Sequence, residues 1–146
     1  ETSLDWHLLE QADHQGVQSL VRDLNRIYRE TPAMWEIDFE PSGFRWLEPN
    51  DAATNVLAFA RFGKDPMRPL VCVCNLSPVP RYGYRVGMPV SGRWREALNT
   101  DSTFYGGSGE GNLGEVEAEA PPWHDQPFSA ELTVPPLGVV WLVPKG

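Results

Sequence analysis

The chain has 146 residues, of which 41% are apolar and 22% charged, a balance typical of one globular domain with a proper core. Its net charge of -8 and the lack of a basic stripe exclude an ordinary nucleic-acid-binding protein. No apolar run approaches the ~20 residues of a membrane span, and residues 1–12 do not resemble a signal peptide. Neither nucleic acid nor membrane is therefore an expected partner.

The first predicted element is an α-helix over residues 13–30. Its apolar residues recur at the helical period and form one stripe: Val17, Leu20, Val21, Leu24, Ile27 and Tyr28. Asp13 is the predicted N-cap. The Thr31-Pro32 pair ends the helix, because a residue before proline avoids the helical region. A shorter helix or turn is predicted over residues 3–10.

From residue 44 onward the sequence predicts strands and turns. Seven short runs are separated by proline, glycine, asparagine or aspartate: FRWL, NVLAFARF, PLVCVCNL, GYRVG, GRWREAL, FSAELTV and LGVVWLV. FSAELTV alternates apolar and polar residues as a half-buried strand does, whereas LGVVWLV is apolar on both faces and is predicted to be central. Strands without helices between them predict an antiparallel β-sandwich.

Two cysteines lie in one strand-like run, PLVCVCNL. Cys72 and Cys74 are two residues apart, so both point to the same face of a sheet. A lone C-x-C pair has too few partners for a zinc site, and His7, His14 and His124 have no metal-ligand spacing with one another. Two buried free thiols in a reducing cytoplasm are the favoured interpretation over metal binding.

A glycine-rich loop, GEGNLG at 109–114, matches the dinucleotide pattern G-x-G-x-x-G. The pattern needs a strand directly before it and a helix directly after it. Here ten residues separate it from GRWREAL, Pro121 and Pro122 prevent a long following helix, and the neighbouring glutamates would repel a pyrophosphate. The sequence therefore predicts a surface loop with glycines at positive φ, and no cofactor.

The sequence shows no recognisable catalytic set. No G-x-S-x-G nucleophile elbow is present, and no pair stands out among the 20 acidic residues. Of the six tryptophans, Trp94 and Trp141 are predicted to be core residues. Trp46, in PSGFRWLEPND, follows a turn and precedes a polar loop, so its ring can stack on the apolar face of a sugar. The alternative for Trp46 is a packing residue at a domain boundary.

Four stretches taken together resemble one known family. They are SLDWHLLEQADHQGVQSLVRDLNRIYRETPAM, DFEPSGFRWLEPND, CNLSPVPRYGYRVGMPVSGRWREALNTDSTFYGGSGEGN and LTVPPLGVVWLV. In order and spacing they resemble the carboxy-terminal end of bacterial 1,4-α-glucan (glycogen) branching enzymes, of the α-amylase superfamily. The resemblance covers essentially the whole chain.

The resemblance implies an activity for a larger enzyme and a location for this chain within it. Branching enzymes cut an α-1,4 linkage and rejoin the piece through an α-1,6 linkage, with a retaining mechanism whose three carboxylates lie in a central (β/α)8 barrel. Nothing here matches those carboxylates. Residues 1–41 resemble the last helical segment of the barrel, and residues 42–146 resemble the carboxy-terminal sandwich.

The implied role of the chain is that of a catalytically silent part of a cytoplasmic enzyme. Its expected partners are the barrel, towards which the helix stripe of Val17, Leu20, Leu24 and Ile27 would face, and α-glucan chains such as glycogen, with Trp46 as the predicted contact. The alternative is a purely structural sandwich with no affinity for sugar.

Overall fold

The computed structural model describes residues 4–146. One helix, α1, spans Ala12–Glu30. Eight strands follow: β1 Phe44–Asp51, β2 Val56–Arg61, β3 Leu70–Asn75, β4 Arg81–Met88, β5 Gly92–Asn99, β6 Glu115–Ala118, β7 Phe128–Val134 and β8 Gly138–Pro144. Short 3₁₀ turns lie at Trp6–Glu10, Pro32–Met34, Pro41–Gly43 and Thr103–Tyr105. Residue 3, where the predicted short helix or turn begins, lies outside the described residues.

The strands form the predicted antiparallel sandwich. The larger sheet has six strands in the order β1-β2-β3-β8-β5-β6, and the smaller sheet pairs β4 with β7. Strand β8 lies between β3 and β5, which confirms the central position predicted from its two apolar faces. Strand β6 was not predicted, and its four residues alternate glutamate with valine or alanine. It pairs with β5 at the end of the larger sheet.

The main core fills the space between the two sheets. Its residues come from both sheets and include Val56, Ala58, Ala60, Val71, Val73, Val86, Met88, Trp94, Leu132, Val134, Val140 and Leu142. Trp94 is completely buried, as predicted, and its indole N–H donates to the carbonyl of Val90 at 2.9 Å. Because a buried indole N–H without a partner is costly, this bond fixes the orientation of the ring.

A second, smaller cluster lies on the outer face of the larger sheet. Leu70 and Cys72 alternate along β3 with the core residues and are covered by Ala33 from the Pro32–Met34 turn. Cys72 and Cys74 point to this same face, as predicted, with 3.7 Å between the sulfurs. Cys72 is buried, but Cys74 is only half-buried. Trp141 was predicted to be a core residue, yet it is half-buried at the edge of this outer cluster.

Helix α1 begins one residue earlier than predicted. Gln11 occupies the N-cap position, without a side-chain capping bond, and Asp13 lies inside the first turn. The N-cap prediction for Asp13 is therefore wrong, although its charge there still suits the helix dipole. The helix ends at Glu30 as predicted, where Thr31 takes up an extended conformation before Pro32.

The apolar stripe of α1 is divided between two directions. Ile27 is buried within this chain, so its predicted exposure to a separate barrel is wrong. Val17, Val21 and Tyr28 are exposed on the neighbouring side of the helix, and Leu24 is half-buried. The helix thus uses one edge of its stripe against the sandwich and leaves the other edge uncovered.

Two contacts hold α1 against the Thr103–Tyr105 turn that follows β5. The Tyr105 hydroxyl donates to the Asp23 carboxylate, and burial together with that charge raises the pKa of Tyr105 to about 12. Gly16 lies so close to the turn that a Cβ there would be 2.6 Å from the Tyr105 carbonyl oxygen. Within residues 4–146, no helix is both long and apolar enough to span a membrane.

Candidate functional site

Three aromatic rings form a cluster on the outer face of the larger sheet, at its β1 edge. Trp46 meets Phe44 edge-on, with ring centroids 5.1 Å apart, and meets Phe59 edge-on at 6.1 Å. Phe44 and Phe59 stack at 5.2 Å. Trp46 remains 51% exposed and Phe44 37% exposed. We call Phe44, Trp46 and Phe59 the aromatic cluster.

Strand pairing and a close turn position this cluster. Phe44 is opposite Arg61 and Trp46 is opposite Phe59, so their side chains share one face of the sheet. The Pro41–Gly43 turn feeds directly into β1. Gly43 is needed there, because a Cβ would collide with the Ile37 carbonyl oxygen. Trp46 is therefore held at the edge of the sheet, in the FRWL run that the sequence predicted to be a strand.

Charged groups lie beside the aromatic cluster. Arg61, next to Phe44 in the register, donates to the Asp38 carboxylate at 2.7 Å and to the Met34 carbonyl at 3.3 Å. The Asp38 side chain is exposed and keeps further acceptor capacity. The surface therefore combines a fixed ring with neighbouring hydrogen-bonding groups. Such a combination binds molecules that have one apolar and one polar side.

The other predicted candidates do not come together with Trp46. His7 and His14 are exposed at the start of the chain's helical part. His124 lies elsewhere, half-buried between the two sheets, where its Nδ1 accepts the Gly87 N–H at 3.0 Å. Burial lowers the pKa of His124. Among the described residues, no three or more His, Cys, Asp or Glu side chains are arranged to hold a metal ion.

The two cysteines have different environments. The hydrogen bond with Cys74 and burial both raise the pKa of the Cys72 thiol. The hydrogen bond with Cys72 lowers the pKa of the half-buried Cys74 thiol, although partial burial opposes this. A thiol becomes reactive only as the thiolate, so the buried Cys72 is unsuited to nucleophilic chemistry. Both thiols are free, as expected from the sequence, but only Cys72 is buried.

The glycine-rich loop has none of the geometry of a dinucleotide site. Gly109 and Gly114 have positive φ, as predicted for a surface loop. Strand β6 follows the loop where a dinucleotide fold needs a helix. The Asp101 carboxylate organises the loop, because it accepts the N–H groups of Ser108 and Glu110, each at 3.0 Å, and the Ser108 hydroxyl.

The fold and the site together define a β-sandwich domain with an exposed aromatic cluster at one edge of its larger sheet. The chain belongs to the family of alpha amylase C-terminal all-beta domains, whose model matches residues 46–145. Trp46 is the first residue of the matched region.

Several bacterial relatives share about half of their residues with this chain. The 1,4-alpha-glucan branching enzyme GlgB of Aquifex aeolicus is 52% identical over 146 residues, covering 100% of this chain and 23% of the relative. Those of Myxococcus xanthus and Rubrobacter xylanophilus are each 53% identical over 144 residues, covering 99% of this chain and 20% of the relative. The chain thus spans about a fifth of these relatives and matches their carboxy-terminal portion, which confirms the resemblance found in the sequence.

Proposed function

We propose that the chain is the carboxy-terminal part of a 1,4-α-glucan branching enzyme, and that it holds α-glucan at Trp46 while the rest of the enzyme performs the transfer. The identity of about 50% over the whole chain supports the parent activity. By the resemblance, the three catalytic carboxylates lie in the barrel, so the chain alone should not transfer glucan. A cytoplasmic location is part of the same proposal.

The observation that carries the glucan assignment is the half-exposed ring of Trp46. A tryptophan on an ordinary surface would be mobile, whereas Phe44 and Phe59 pack against this ring and fix its plane. An ordered ring loses little entropy when a ligand stacks on it. A glucose unit has an apolar face of ring hydrogens and a rim of hydroxyls, and the Arg61–Asp38 pair lies close enough to the aromatic cluster to serve such a rim.

The second part of the proposal concerns the partner domain. Residues 1–41 form the last helical segment of the barrel, and residues 42–146 form the sandwich. Within the first segment, Val17, Val21 and Tyr28 expose one side of α1. Phe39 is 85% exposed in the connection to the sandwich. Side chains of this kind are normally covered, and the rest of the barrel is the covering partner.

A purely structural module is the alternative, and those same exposed side chains favour it. If the sandwich serves only to stabilise the barrel, the aromatic cluster would also be part of a packing surface between the two. Trp46 would then lie at a domain boundary and would have no free face in the whole enzyme. Both readings keep α1 as barrel-facing, so only a measurement of sugar binding separates them.

The experiment is electrophoresis of the chain in native gels with and without glycogen. We expect glycogen to retard the chain, and the Trp46→Ala variant to show roughly tenfold weaker retardation, the factor that corresponds to 1.4 kcal/mol. The matched control is Trp6→Ala, which removes a tryptophan that is 69% exposed elsewhere on the surface. No retardation of the folded wild-type chain would leave the structural module as the function, whereas equal retardation of folded wild type and Trp46→Ala would remove Trp46 from the binding site.

A further inference from the structure

A cleft of about 590 Å³ opens between the two sheets, where β1 of the larger sheet faces β4 of the smaller one. Its walls are polar and aromatic together, and they include Glu48, Asp51, Tyr82, Tyr84, Trp123 and His124. These residues come from three separated parts of the chain. The volume falls within the ~300–1,000 Å³ usual for small-ligand sites.

An irregularity in β1 directs Glu48 into this cleft. Trp46 is opposite Phe59, but Glu48 is already opposite Ala58, so Leu47 is an extra residue in the strand. In a regular strand Glu48 would share the outer face with Trp46. The bulge reverses that alternation, so Glu48 lies on the side of the core residue Ala58. Trp46 and Glu48 therefore serve opposite sides of the same edge strand.

A second backbone irregularity lies at the same cleft. Strand β4 has a register shift between Arg81 and Tyr84, with Gly83 at φ +61°. Across the cleft, His124 and Asp125 have φ +49° and +58°. They are the two central residues of a tight turn closed by Trp123 and Gln126, and such a turn requires positive φ at both positions. Two departures from regular strand geometry and one tight turn thus surround the cavity.

The Trp123 turn is held firmly in this conformation. Trp123 and Gln126 exchange backbone hydrogen bonds of 3.1 and 2.9 Å. The Gly87 N–H donates to His124 Nδ1, so in the neutral ring the proton is on Nε2. That Nε2 faces the Glu48 carboxylate across 3.7 Å, which is too long for a direct hydrogen bond. A donor and an acceptor therefore face the cleft without bonding to each other.

The opposite wall supplies an ordered carboxylate. Asp51 accepts the Thr54 N–H at 3.2 Å and the Tyr84 hydroxyl at 3.3 Å. Hydrogen bonds from Thr54 and Tyr84 lower the pKa of Asp51, so it is ionised at neutral pH. Burial and the charge of Asp51 raise the pKa of Tyr84. At neutral pH the Asp51 carboxylate therefore accepts hydrogen bonds, and the Tyr84 hydroxyl keeps its proton.

The charged groups around the cleft carry little net charge. Glu48 and Asp51 contribute two negative charges and Arg81 one positive charge, whereas Arg85 is already paired with Glu131 at 2.8 Å. Such a site does not attract a phosphate. Trp123 and Tyr82 add rings that are 46% and 65% exposed. Mixed donors and acceptors, low net charge and open aromatic faces suit a neutral polyhydroxylated ligand.

We propose that this cleft is a second α-glucan-binding site, which takes a short α-1,4-linked segment between Trp123 and Tyr82, with Glu48, Asp51 and His124 as hydrogen-bonding groups. The choice of α-glucan among neutral polyhydroxylated ligands rests on the proposed function. The site itself is separate from Trp46, because the bulge places the two on opposite sides of β1. A chain with two sites holds a branched polymer more tightly than either site alone.

The test measures binding of maltoheptaose to the isolated chain by titration calorimetry and by NMR of the tryptophan indole groups. Tyr82→Ala and Glu48→Gln are made in the Trp46→Ala background, where only the cleft remains. We expect maltoheptaose to bind this background and each cleft variant to weaken that binding at least tenfold. The matched control is Tyr28→Ala, an exposed tyrosine on α1 far from the cleft in the fold, which should change nothing.

Three outcomes would overturn the cleft proposal: cleft variants that bind as their parent does, wild-type chain that shows no shift of the Trp123 indole signal, or equal affinity for the β-1,4-linked cellohexaose. The proposed function fails in a different way. If Trp46→Ala leaves the affinity of the wild type intact while Tyr82→Ala removes it, the cleft stands and the assignment of Trp46 falls. Urea denaturation of each variant establishes that it is folded.

Discussion

The two faces of the six-stranded sheet are formed by the same strands but differ in how much of each face is covered. The inner face is closed by β4 and β7, and its residues, such as Val73 and Leu142, have no solvent exposure. The outer face is covered only near its centre, where Ala33 packs on Leu70. At its β1 edge the aromatic cluster is open. Alternate residues of a strand can therefore hold the fold on one side and present a surface on the other.

The inner face should respond most strongly to substitution, and Trp94→Ala is its most severe test. Loss of this buried ring and of its hydrogen bond to Val90 should reduce the free energy of unfolding by about 3–5 kcal/mol. That is a large part of the ~5–15 kcal/mol typical of a domain. Urea denaturation monitored by circular dichroism measures it. The exposed Trp6→Ala should change stability by less than about 0.5 kcal/mol, and a similar loss in both variants would contradict the distinction.

Substitution in the loop around Asp101 should have an intermediate effect on stability, because a half-buried carboxylate holds this loop together. Asp101→Ala removes the acceptor of three hydrogen bonds and should cost about 2 kcal/mol after allowance for solvent. Amide hydrogen exchange should speed up at Ser108 and Glu110 first. Unchanged exchange at both amides would mean that the loop holds its shape without the carboxylate.

The same carboxylate gives a pH dependence of known sign. Burial alone would raise the pKa of Asp101, but the hydrogen bonds from Ser108, Glu110 and Gly109 outweigh it, so its pKa is lowered. A lowered pKa in the folded state stabilises the fold above the unfolded value of ~3.9. That stabilisation is lost as the pH falls through the folded-state pKa. The stability difference between wild type and Asp101→Asn should therefore be constant from pH 7 to about 5 and shrink below about 4.

The attachment of α1 to the sandwich should depend on the close packing of Gly16 against the Tyr105 backbone. In a free helix, Gly16→Ala would gain roughly 1 kcal/mol. Here the new methyl group would lie 2.6 Å from the Tyr105 carbonyl, and overpacking of backbone costs roughly 2 kcal/mol. We expect the free energy of unfolding to fall by about 1 kcal/mol, measured by urea denaturation. Amide hydrogen exchange along α1 should become faster. A gain in stability would mean that the helix is free to move away from the turn.

Local patterns in the sequence predicted most of the fold because they depend on near neighbours. The period of two in FSAELTV places Ala130 and Leu132 in the core, and the apolar run LGVVWLV becomes the central β8. Strand β6 was missed since its alternating glutamates resemble a solvated loop. The predicted N-cap, Asp13, lies two residues after the observed N-cap, Gln11. The pattern of apolar residues predicts that a helix exists but leaves its ends uncertain by one or two residues.

The two candidate sites also differ in whether local sequence could predict them. Trp46 was identifiable from its setting between a turn and a polar loop, although its role stays a prediction. The cleft was not identifiable, since Glu48, Tyr82 and Trp123 are far apart in sequence and meet only through strand pairing. The bulge at Leu47, which turns Glu48 to the inner side, has no signal in the residue pattern. A one-residue insertion changes the face of every side chain that follows it.

The smallest change in stability is expected on the uncovered side of α1, where the largest change in association should appear. Val17 and Val21 are 61% and 50% exposed, so Val17→Ser with Val21→Ser should alter the free energy of unfolding by less than about 0.5 kcal/mol per site. The wild-type chain should self-associate as its concentration rises, because this side is apolar and uncovered, and the double variant should remain monomeric. Analytical ultracentrifugation over a hundredfold range of concentration measures both. A wild-type chain that is monomeric at every concentration would mean that this side of α1 is stable in contact with solvent. The proposal that a barrel covers it would then rest on the sequence relatives alone.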